Sequence, residues 1–141
     1  MRTGQTLFIA GTLPFILLGA LHTLYSLLDT IHPRRIVPRD AELIARMQAS
    51  ALRLTKETDM WRAWLGFNLS HGLGAFVFGL VYLIMAIGHF TVLQTAPLLL
   101  IIAPAVALAY LVLSIKYWFR IPILGTGLGF VLFLGGALLS W

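Results

Sequence analysis

The chain has 141 residues, 60% of them hydrophobic and only 11% charged, with a net charge of +5 and no cysteine. Soluble domains carry about 25% charged residues, and so short a chain has too little interior to hide this much apolar surface. A soluble globular fold is therefore excluded, and with it disulfides, thiolate metal sites and cysteine nucleophiles.

The first expected span covers residues 6–28. It follows Met1 and Arg2 as a signal peptide would, but its apolar stretch is too long for a signal core, so an uncleaved span is expected. Pro14 lies inside it and predicts a kink. His22, Tyr25 and Asp29 share a face by their 3 and 4 spacing. Asp29 is expected at the membrane interface, where a charge costs little.

Residues 31–60 form the one sizeable extramembrane stretch. His32, Pro33, Arg34, Arg35 and Pro38 make a stiff basic turn. Asp40 suits an N-cap for a helix over 40–55, with Leu43, Met47, Ala51 and Leu54 along one side. Such a helix lies on the membrane surface with its charges toward the headgroups. Thr58 and Asp59 suit the start of the next helix.

The second expected span covers residues 61–87. Trp61, Trp64, Asn68, His71 and Ala75 follow a 3, 4, 3, 4 spacing, which on a helix is one stripe. Gly72, Gly74, Ala75 and Gly79 make part of its surface slim enough for a neighbouring helix to approach closely. Asn68 and Ser70 match a glycosylation sequon, discarded because it falls inside a span. Residues 88–96 are expected as a short polar loop. The third span covers 97–114, with Pro104 inside it. Lys116, Tyr117, Trp118, Phe119 and Arg120 make a tight turn with an aromatic belt. The fourth span covers 121–141, with Gly125 and Gly129 in small-xxx-small spacing and Trp141 as its far anchor.

The expected fold is thus an all-α membrane protein in one domain, 1–141. It is an antiparallel bundle of four transmembrane helices with one amphipathic cytoplasmic surface helix. Seven of the ten Lys and Arg lie between Arg34 and Arg62, two are Lys116 and Arg120, and one is Arg2. Basic residues beside apolar runs speak for topology and lipid headgroups, not nucleic acid. They place the first and third connections in the cytoplasm and both termini outside.

A histidine inside a span is costly to keep and points to function. His22 lies roughly 12 Å, and His71 roughly 15 Å, from the cytoplasmic ends of their spans at the helical rise. On adjacent antiparallel helices the two rings can face each other, with Tyr25 and Asn68 one turn nearer the cytoplasm. Ser26, Trp64, Tyr110 and Ser114 are within reach of the same cluster. The plainest account is that these polar groups satisfy one another and hold the bundle together. The first functional account is a ligand site made by His22, Tyr25, Trp64, Asn68 and His71, holding the head of a quinone, lipid or prenyl compound. A second makes His22 and His71 axial ligands of a b-type haem. A third is an enzyme acting on a lipid or isoprenoid head group. Zinc is disfavoured because no carboxylate is expected deep in a span, and a hydrolytic triad because Ser26 and Ser70 lack an acidic partner there.

The stretch TKETDMWRAWLGFNLSHGLGAFVFGLVYL, with RDAELIARMQ and KYWFRIPILG, resembles a family of small bacterial four-span membrane proteins. That family has no established activity. The resemblance implies a four-span fold in the bacterial inner membrane and carries over no catalytic residue. Expected partners are the bilayer, a lipid or quinone, and other membrane subunits or a second copy of the chain.

Overall fold

The computed structural model describes residues 3–140. Arg2 and Trp141, the expected topology marker and anchor, lie outside the described residues. Among these residues every named element is a helix: α1 (Thr3–Ile31), α2 (Ala41–Ala49), α3 (Met60–Gly88), α4 (Phe90–Thr95), α5 (Pro97–Tyr117) and α6 (Arg120–Leu138). Four of them, α1, α3, α5 and α6, are long and apolar enough to cross a membrane. The protein is a multi-pass all-α membrane protein.

The helices begin and end where local chemistry requires. α1 stops at Ile31 because His32 precedes Pro33, and a residue before proline is pushed out of the helical region. The Asp40 carboxylate accepts from the Glu42 amide at 2.9 Å and caps α2. Asp59 does the same for α3, accepting from the Arg62 amide at 2.8 Å. Pro97 opens α5, where its missing N–H is not needed. Pro14 and Pro104 both lie inside continuous helices.

Two expectations are corrected. The surface helix ends at Ala49, not near residue 55. The Ser50 carbonyl is taken by the Met60 amide at 2.9 Å, and Ala51 pairs with Asp59 as an antiparallel bridge. The chain after α2 is thereby drawn back to the start of α3 and cannot continue as a helix. The expected polar loop at 88–96 contains α4. Its Phe90 and Leu93, three residues apart, share a face and are buried.

The chain packs as two units, residues 3–18 with 75–140, and Gly19–Gly74. The first unit is an antiparallel bundle filled with rings. Gly4 lies against Gly136 and Ser140, Gly11 against Phe133, and Gly125 against Leu18, so α1 and α6 run in opposite directions. Gln5 donates to the Ala86 carbonyl at 2.8 Å while Gly79 meets Thr12 and Ile16, which sets α1 against α3 in the same sense. The Tyr82 hydroxyl ties α3 to α5 through the Leu99 carbonyl at 3.0 Å. Between them Phe133 touches Phe8, Phe15, Phe78 and Tyr82, with ring centroids 5.3–6.0 Å apart. Lipid tails are as apolar as these rings, so tight edge-to-face packing, not escape from water, holds this part together.

Glycine makes the approach possible. A Cβ on Gly79 would fall 2.8 Å from Ile16 Cγ1 and 3.0 Å from both the Ile16 nitrogen and the Thr12 carbonyl oxygen. The outward faces carry Leu, Ile and Val, as Leu17, Ile84, Ile102 and Val131 illustrate. In a bilayer that is the side chains' ordinary solvent.

Candidate polar site in the unit Gly19–Gly74

This unit is built on directed polar contacts. On α1 the inward positions are Gly19, Ser26 and Asp29, with His22 half-buried between them. On α3 they are Trp61, Asn68 and Gly72. The 3 and 4 spacing admits two phases, and the inward stripe runs through Asn68 and Gly72, which leaves Trp64 and His71 on its flank. Gly72 is where the helices nearly touch: a Cβ there would lie 2.8 Å from the Thr23 nitrogen and 3.0 Å from His22 Cδ2.

That approach brings the two imidazoles together. Their ring centroids are 5.5 Å apart, edge to face at 71°. Asn68, only 2% exposed, joins the helices between them. Its Nδ2 donates to the Trp64 carbonyl at 2.9 Å, which turns Oδ1 toward His22 Nε2 at 3.2 Å. An amide oxygen only accepts, so Nε2 is the protonated nitrogen of His22. Phe67 lies parallel to the His71 ring with centroids 5.8 Å apart, and is itself 59% exposed. Both imidazoles are half-buried. The cluster therefore has an open edge lined by Phe67.

Tyr25 and Trp64, expected in the same cluster, serve the basic turn instead. Tyr25 is 41% exposed and lies under the Arg35 guanidinium, 5.7 Å from ring centroid to guanidinium carbon. The Trp64 indole donates to the Ile36 carbonyl at 2.9 Å. Tyr110 and Ser114 belong to the other unit, where Tyr110 packs edge-on to Phe15 at 5.7 Å. Ser26 is buried, and its hydroxyl has no hydrogen-bond partner. It stands one turn beyond His22 on the same side of α1.

Asp29 is the residue whose place the sequence did not reveal. Expected at the interface, it is 1% exposed. Its carboxylate accepts from the backbone amides of Arg34 at 3.0 Å, Arg35 at 3.1 Å and Ile36 at 2.7 Å. The Arg35 side chain adds a contact at 3.8 Å. A carboxylate in the last turn of a helix faces the negative end of the helix dipole; three amides and a guanidinium offset that here. The residue thus staples the turn to the end of α1. The only advance sign was its spacing from His22 and Ser26.

Axial ligands of one haem stand on opposite faces of the porphyrin, each with a ring nitrogen on the iron. His22 and His71 touch directly, and the protonated Nε2 of His22 is held by Asn68, so this arrangement has no slot for a macrocycle. Among the described residues no three His, Asp or Glu side chains gather into a metal-binding group. Compared with known proteins, the chain matches no family model, no curated protein and no solved structure.

Proposed function

We propose that this is a binding protein of the bacterial inner membrane, with both termini periplasmic, that holds the polar head of a lipophilic molecule at His22, Asn68 and His71. The ligand class is a quinone or a lipid with hydrogen-bonding head atoms. The observation that carries this is the half-open imidazole pair: a purely structural polar contact inside a span is best sealed, and this one keeps an exposed edge lined by Phe67. The unpartnered hydroxyl of Ser26, one turn away, adds a group for a ligand or water to satisfy.

Helix length supports the same level in the membrane. Twenty-nine residues make α1 and α3 roughly 43 Å long, against a hydrocarbon core of about 30 Å. With the excess on the side of the basic connection, the histidines come near the boundary between acyl chains and headgroups. That is where the head of an amphiphile resides.

The test is mass spectrometry of protein purified in mild detergent. Wild type is expected to carry a stoichiometric quinone or lipid that His71→Ala and Asn68→Leu lose, while His32→Ala, in the exposed turn, keeps it. If all four proteins fold and carry the same extracted molecules, the proposal fails.

A further inference from the structure

We propose that the connection between α1 and α3 is an anionic-lipid sensor, in which α2 and the loop around Leu54 settle into a leaflet only when that leaflet carries acidic headgroups. This is independent of the ligand site, and rests on three observations. The first is an apolar side that the chain covers only in part, with Ile44 and Met47 half-buried and Leu43 45% exposed. α2 has no buried residue; Leu43, Ile44 and Met47 lie roughly 130° round the helix from the Glu42–Arg46 pair, at 100° per residue. Past it, Leu54 is 93% exposed.

The second is unneutralised charge. Four of the five acidic groups are already engaged: Asp29 holds the turn and Arg35, Asp40 caps α2, Glu42 pairs with Arg46, and Asp59 caps α3, which leaves the exposed Glu57 carboxylate set against five cations. Arg34, Arg39, Arg53, Lys56 and Arg62 are exposed and form no ion pair among the described residues. Arg53 and Lys56 flank Leu54, so the most exposed apolar side chain among the described residues is bracketed by two cations. That is the pattern of a segment that needs apolar burial and anionic attraction together.

The third is tethering. The connection leaves one apolar helix and enters another on the same membrane face, since α1 and α3 run antiparallel. The surface nearest to it is the leaflet. A free cation beside a lipid phosphate is attracted within a Debye length, about 8–10 Å at physiological salt. The occupant is therefore the acidic leaflet itself.

The experiment uses the full chain, which has no native cysteine. Leu54→Cys is labelled with an environment-sensitive fluorophore and reconstituted in phosphatidylcholine discs with or without phosphatidylglycerol. Thr91→Cys, in the connection free of Lys and Arg, is the control. The expected result is a blue shift at position 54 only with phosphatidylglycerol, reversed by high salt and lost in Arg53→Gln/Lys56→Gln, with position 91 unchanged. Equal emission in both discs overturns the proposal. If that emission is water-like, the free charge is left to an acidic protein partner; if it is already blue, apolar insertion alone suffices.

Discussion

The unit of residues 3–18 with 75–140 is held mainly by rings, with Gln5 and Tyr82 each adding one bond between helices, and the unit Gly19–Gly74 mainly by hydrogen bonds. In the first, Phe133 and its neighbours form a contact network with no direction beyond shape. In the second, Asp29 gathers three backbone amides, Asn68 links the Trp64 carbonyl to His22, and the Trp64 indole reaches the Ile36 carbonyl, each contact with a fixed donor and acceptor. The same two long helices, α1 and α3, contribute to both. A helix in lipid can thus change its means of association along its length, from packing to directed bonds. The change falls where α1 passes from Phe15 to His22 and where α3 passes from Tyr82 to Asn68.

The sharpest way to break the ring-packed unit is Phe133→Ala. It removes the ring that four others touch and is expected to cost about 3–5 kcal/mol, read as a large fall in the detergent melting temperature. Against it stands Asp29→Ala. Losing charged hydrogen bonds to three amides is expected to cost about 2–4 kcal/mol. Hydrogen exchange locates that loss: amides 34–36 speed up while those around Tyr82 do not. Gly72→Ala forces a methyl against the Thr23 backbone, and overpacking of this kind costs about 1–3 kcal/mol. It should also separate the imidazoles, so ligand retention falls further than stability. Asn68→Leu removes one interhelical bond, worth about 0.6–2 kcal/mol. Gly66→Ala sharpens the comparison from the other side. Nothing lies within 4 Å of the added methyl, and the melting point should hold or rise, within about 1 kcal/mol of helix propensity.

The long helices were legible because an unbroken apolar run is a property of the line of sequence itself, as residues 61–87 show. The imidazole pair was legible because depth in a span can be counted. The inward phase of α3 was not: spacing through Asn68 and Ala75 passes equally well through His71 or Gly72, and only the backbone approach at Thr23 decides. Asp29 escaped because its partners are backbone amides, which every sequence has. α4 escaped because His89, Thr91, Gln94 and Thr95 outnumber the two residues, Phe90 and Leu93, that bury it.

The pairing of Ala51 with Asp59 has a practical corollary. It fastens both ends of the intervening hairpin before the tip is considered, so extra residues spliced in beside Leu54 add little closure entropy, about 0.6 kcal/mol per doubling of length. A short epitope or a split-reporter fragment grafted there should leave both helical units undisturbed, and would show to which side of the membrane this connection is exposed in living cells.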